Sequence, residues 1–195
     1  MIRLEPIGPD NWREELAVRE DPEDDRNMHY RGREYMYRGR WDDCIATLSK
    51  HLAMPSATWA DERAASMRYI ARSFGEKGRS GLARDWYLRA IAEAPHLREA
   101  YIDLASLLYA QGNWDGVLYF TGCALDIRDR PASYICEAAA WGSLPWDLRS
   151  IALYHVGRVS QALEAAEQAL ALTPGDERLQ NNVTFFRSLS EARTE

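Results

Sequence analysis

Four glycines, Gly39, Gly78, Gly112 and Gly157, each divide a pair of apolar stretches with helical spacing. This recurrence constrains the fold more than any other feature of the chain. The glycines are 39, 34 and 45 residues apart. A helix–turn–helix unit of about 34 residues cannot bury its apolar face alone, so units of this length stack on one another. The register can be checked where helices must cross closely. Seven residues before each glycine stand Gly32, Ala71, Ala105 and Ser150; five after it stand Cys44, Ala83, Val117 and Ala162. Twelve after it come His51, Ala90, Ala124 and Ala169. Seventeen after it a proline should stop the second helix, because it has no N–H to donate. Pro95 and Pro174 satisfy this, Pro55 stands one residue early and Pro131 two late.

The segments carrying this pattern are HYRGREYMYRGRWDDCIATLSKHL, MRYIARSFGEKGRSGLARDWYLRAIAEAP, YIDLASLLYAQGNWDGVLYFTGCALDI and SIALYHVGRVSQALEAAEQALALTP. They resemble tetratricopeptide repeats over about residues 25–174. The resemblance implies an all-α fold, an α-α superhelix of about four helix pairs in which first helices line a concave groove. Residues 175–195 are expected to form a capping helix and tail, with Leu179, Val183, Phe186 and Leu189 as one apolar stripe. Residues 1–24 read as an extension with a short helix, NWREELAVRE, capped by Asp10 and stopped at Asp21-Pro22.

Two spacings exceed the repeat. Around PSATWADE, Thr58 and Asp61 suggest a capping box, with Trp59 stapled at the start of the next helix. The longer interruption, residues 128–142, contains CEAAAWGSLPWD within a Trp- and Tyr-rich stretch too apolar to leave in water. Pro131 should open a short helical turn through Ala140 and Gly142 should end it. Ser143 should cap the next helix, with Pro145 in its first turn. The stretch is expected either to fill the junction between repeats three and four or to wall the groove. The ICE…WG…LPWDL interruption, with DDRNMHYRGREYMYRGRWDDCI, TWADERAASMRYIARSFG and APHLREAYIDLASLLYAQGNWDGVLYF, also resembles the tetratricopeptide region that follows the catalytic domain of some bacterial family 2 glycosyltransferases. That resemblance implies an accessory region that helps hold an acceptor or partner. It carries no transferase activity here, because the chain has no βαβ run and no Asp-x-Asp after a strand. Asp24-Asp25 and Asp42-Asp43 are read as helix caps.

Counted from the turn glycines, the first helices would present Arg26, His29, Arg33 and Tyr37 from repeat one, and Arg68, Arg72 and Glu76 from repeat two. Repeat three would present Ile102, Ser106 and Tyr109; repeat four Asp147, Ile151 and Tyr154, with Trp146 beside them. The first half of this groove is basic in a chain of net charge −6. Arg33, Arg68 and Arg72 would converge on an anion, as guanidinium forks suit carboxylate or phosphate. The alternative is an ion network with Glu34, Glu62, Glu76 or Glu99. Tyr109, Tyr154 and Trp146 would suit a flat or sugar-like face.

No chemistry of its own is legible. His29, His51, His96 and His155 show no zinc spacing, GEKGRSG follows a helix and not a strand, and no G-x-S-x-G occurs. No metal and no cofactor are expected. The three cysteines (Cys44, Cys123 and Cys136) read as reduced thiols, Cys136 having the best prospect of exposure. Net negative charge argues against nucleic acid. No apolar run suits a membrane span, and MIRLEPIGPDNW lacks the apolar core of a secretory signal, so a cytoplasmic location is expected. The expected function is a non-catalytic scaffold that binds a protein or peptide, acidic ones included. The alternative is the accessory region of a family 2 glycosyltransferase without its catalytic domain. Trp86 and Tyr119 would serve a homodimer surface.

Overall fold

The computed structural model describes residues 24–191. The expected N-terminal helix, its Asp10 cap and its stop at Asp21-Pro22 lie outside the described residues. Among the described residues there are ten helices and no strand. They are α1 (Asp25–Tyr37), α2 (Trp41–Ala53), α3 (Ala60–Glu76), α4 (Ser80–Glu93), α5 (Arg98–Ala110), α6 (Trp114–Asp126), α7 (Ala138–Trp141), α8 (Leu144–His155), α9 (Val159–Leu172) and α10 (Glu177–Glu191). None is long and apolar enough to cross a membrane.

The four turn glycines all have positive φ, from 68° to 79°, and no other described residue does. Each turn closes with the same two bonds. The glycine N–H donates to the carbonyl three residues back, and the next N–H to the carbonyl five back. The pairs are Gly39 to Met36 with Arg40 to Tyr35, Gly78 to Gly75 with Arg79 to Phe74, Gly112 to Tyr109 with Asn113 to Leu108, and Gly157 to Tyr154 with Arg158 to Leu153. This is the Schellman arrangement, which satisfies the last helical carbonyls and requires a left-handed residue that glycine adopts without strain.

The chain divides into two compact units between Trp86 and Tyr87, within α4. In the first, α1 packs on α2, α2 on α3, and α1 on α3. Gly32 sits where α1 meets α2: a Cβ there would lie 2.2 Å from Leu48 Cδ2. Ala71, Cys44 and Ala83 are fully buried, as the register requires, and burial pushes the Cys44 thiol up to about 11. Asp24 caps α1 by accepting from Asn27 N–H. Asp42 and Asp43 are not caps. Arg40 occupies that position, and the two carboxylates lie in the first turn of α2, where they face the positive end of the helix. The capping box also fails: α3 begins at Ala60, so Trp59 takes the cap position without a side-chain bond and Thr58 falls outside the helix. The extra residues of this loop are fastened by Arg63, whose Nη1 donates to the carbonyls of Leu52 and Ala57.

In the second unit α5 packs on α6 and α8, α6 on α8, α8 on α9, and α9 on α10. Ala105, Ser150, Val117, Ala162, Ala124 and Ala169 are all fully buried. Leu153, Ala162, Ala165 and Ala166 form a core closed by Val183 and Phe186 of α10. Asp176 Oδ1 caps α10 by accepting from the N–H groups of Arg178 and Leu179. Leu179, Val183 and Phe186 form the buried stripe, while Leu189 is half-buried.

The insertion differs from the sequence expectation at its start. Pro131 opens no helix, and α7 spans only Ala138–Trp141 before Gly142 ends it. Ser143 does hold the cap position of α8, with Pro145 in the first turn, but its side chain makes no capping bond and its Oγ lies 3.0 Å from Thr173 Oγ1. The loop is held down by a buried carboxylate. Glu99 Oε1, on α5, accepts from Glu137 N–H at 3.0 Å and from Trp141 Nε1–H at 2.9 Å. Arg98 stacks on the Trp141 ring at 4.1 Å and donates through Nε to the Ile127 carbonyl.

Candidate functional site

In the first unit, α1 and α3 bring cationic and aromatic side chains to one place. Tyr69 is its centre. The guanidinium groups of Arg68 and Arg72 lie 5.9 and 6.0 Å from its ring, and the rings of His29 and Tyr37 lie 5.9 and 6.4 Å away. Next along α1, Arg33 stacks over Tyr30 at 4.9 Å, and Tyr30 meets His29 at 5.7 Å. Arg33 and Arg72 are half-buried, Tyr37 is exposed, and the Arg26 side chain is 61 % exposed beside Glu62 at 3.9 Å. Two residues expected at the groove surface are interior. His29 is fully buried, and Arg68 is 1 % exposed within an unbroken run of buried positions on α3 from Ala64 to Ala71. Glu76 is exposed.

Beneath this face lies a polar chain that the sequence reading did not assemble. Ser66 Oγ stands 2.8 Å from His29 Nδ1 and 3.0 Å from His51 Nδ1, and His51 Nε2 faces Glu62 Oε1 at 3.5 Å. A single hydroxyl proton lets Ser66 donate to one ring while it accepts from the other. Burial lowers the His29 ring to about 4, the Glu62 carboxylate pulling the other way. A carboxylate, an imidazole and a serine thus stand in sequence, as in acyl-transfer sites. The resemblance ends there, since Ser66 has no exposed surface on which a substrate could reach it. The available signal was His51: it occupies a position that is alanine in the other three repeats, and a polar side chain there needs buried partners.

In the second unit the expected residues are engaged within the fold. Asp147 is buried, and Arg178 of α10 donates to both its oxygens at 2.9 Å. These bonds raise the Arg178 guanidinium above its usual value. Ser106 donates to the Ile102 carbonyl, and Ile102 is buried. Tyr109 meets the edge of Trp114, which stacks flat on His155 at 3.9 Å, and Tyr154 packs on His155, Phe185 and Phe186. These aromatics join neighbouring helices rather than forming an open platform. Trp146 packs against the α8–α9 core and lines a cleft of about 600 Å³ with Arg149, Arg158, Gln161, Glu164 and Gln168. Trp86 is half-buried and Tyr119 is 66 % exposed.

No family model and no curated protein matches the sequence. Solved structures do match the fold. The C-terminal part of a TPR repeat-containing protein from Cytophaga hutchinsonii superposes with a TM-score of 0.71 at 15 % identity, over 94 % of this chain and 66 % of that one. Pseudomonas aeruginosa pilF gives 0.67 at 11 % identity, over 91 % and 72 %. MamA gives 0.63 at 18 % identity, over 81 % and 83 %. The fold is that of the tetratricopeptide repeat. Within it, His29, His51, Glu62 and Ser66 are peculiar to the first two repeats. The equivalents of Ser66 in repeats three and four are Ala100 and Pro145.

Proposed function

We propose that the chain is a non-catalytic scaffold that holds an acidic peptide or partner protein against the first helices of its leading repeats. The observation that carries this reading is the cluster on α1 and α3, where Arg68 and Arg72 flank Tyr69 while Arg33 lies over Tyr30. Arg68 is interior and positions the ring; Arg33, Arg72 and Tyr37 are the groups within reach of a ligand. Guanidinium over an aromatic face is held in place before binding, which lowers the entropy lost in gripping a carboxylate. Titration of a Glu-rich peptide against the full chain and against the Arg33→Ala, Arg72→Ala double variant tests this. A charge-assisted hydrogen bond contributes about 1.5–3 kcal/mol, so the double variant should bind at least tenfold more weakly. Affinity should also fall with salt, since screening at 0.1 M acts over about 10 Å. Equal binding by both proteins removes the proposal.

A second reading, the accessory region of a family 2 glycosyltransferase, draws on the insertion. The loop is fixed through Glu99 and Trp141, and Tyr134 stands exposed on it. If Tyr134→Ala abolishes binding of an oligosaccharide acceptor and leaves peptide binding intact, this reading is favoured over the first.

A further inference from the structure

We propose that Asp25, His51 and Glu62 form a binding site for a divalent first-row transition metal, with zinc the best match to one imidazole and two carboxylates. Three helices converge to make it: Asp25 opens α1, His51 lies in the last turn of α2, and Glu62 lies in the first turn of α3. One donor atom from each lies within 4.8 Å of the other two. His51 and Glu62 are buried, and His51 Nε2 makes no hydrogen bond in its sealed position. Such a nitrogen is costly to bury unless something takes its lone pair or its proton.

The orientation of His51 is what distinguishes this cluster from a chance meeting of charges. Ligating histidines donate their second ring N–H to a fixed outer partner, which sets the tautomer and aims the bare nitrogen at the metal. Ser66 is placed for that role, 3.0 Å from His51 Nδ1, and is itself steadied by His29 Nδ1 at 2.8 Å. The proton order is then His51 Nδ1–H to Ser66 Oγ and Ser66 O–H to His29 Nδ1. His51 Nε2 is left with its lone pair toward the carboxylates. Zinc–ligand bonds of about 2.0–2.2 Å require the donors to draw together by about an ångström. Asp25, half-buried at a helix start, has the freedom to do so. Three protein ligands leave a fourth position for water. Arg26 is a competing cation, with Nε 3.9 Å from Glu62 Oε2 on a side chain that is 61 % exposed.

The test uses the full chain, stripped of metal by chelation and carrying Cys123→Ser and Cys136→Ser to remove the accessible thiols. Calorimetric titration with Zn²⁺ alone should give one equivalent bound. At a hundredfold excess over Kd the midpoint of thermal unfolding should rise by about 5–10 °C. Asp25→Asn and Glu62→Gln should each weaken binding tenfold or more, with helical content unchanged by circular dichroism. Arg26→Ala should tighten it several-fold, an effect that no merely structural role of the cluster would produce. Absence of binding overturns the proposal, and so does binding that Asp25→Asn and Glu62→Gln leave unchanged.

Discussion

Gly157 and Gly175 both have open space where a Cβ would go, but only Gly157 has positive φ, at 79°. Alanine at 157 therefore meets no atom and still strains the backbone, by about 1–2 kcal/mol. Alanine at 175 should be neutral or slightly stabilising. Urea unfolding of the two variants separates the conformational requirement from packing, and equal midpoints would contradict it. A second residue-scale prediction concerns His29. Its native ring, held near 4, refuses the proton that the unfolded ring accepts from 6.5 downward. Unfolded chains therefore bind more protons between those values, and stability rises with pH across that window. The contribution is fully present above about 6.5, is lost as pH falls toward 4, and amounts to about 3 kcal/mol. Urea midpoints measured from pH 4 to 7 should show this slope, and His29→Gln should flatten it.

At the scale of elements, the insertion and the cap are each fastened by one carboxylate on a first helix. Glu99 is buried and holds α7 through Glu137 and Trp141. Glu99→Ala leaves both donors without that acceptor, a loss of about 1–3 kcal/mol. Limited proteolysis should then cut within residues 128–137 faster than in the wild type. An unchanged digestion pattern would show that apolar packing alone holds the loop. These attachments mark where sequence reasoning stopped. The aromatic load of CEAAAWGSLPWD showed that the stretch must pack. Its partner, Glu99, lies 42 residues from Trp141, and nothing local pairs the two. Asp147 was legible as the first turn of a helix, but not as the partner of Arg178, 31 residues on. Thr58 misled for a different reason: a capping box is a local preference, and in the loop fastened by Arg63 the cap falls on Trp59, so the helix starts one residue later.

For the whole molecule, the repeat frame was legible because it rests on backbone and volume. Four left-handed glycines and small residues at fixed offsets leave little freedom, and each falls in its expected turn or buried crossing. The polar chain under α1 and α3 was not, since it joins His29, His51 and Ser66 from three different helices. The same architecture fixes how damage should spread. Within each unit a helix packs mainly on its neighbours in the chain, so stability approximates a sum of local and nearest-neighbour terms rather than one global quantity. Gly32→Ala drives a Cβ to 2.2 Å from Leu48 at the α1–α2 crossing, an overpacking of about 1–3 kcal/mol. Hydrogen exchange should accelerate most in residues 25–76 of that variant. The amides of α9 and the buried half of α10, closed by Val183 and Phe186 on their own core, should keep most of their protection. Acceleration by one common factor at every protected amide would mean that the chain opens only as a unit, and the nearest-neighbour account would fail.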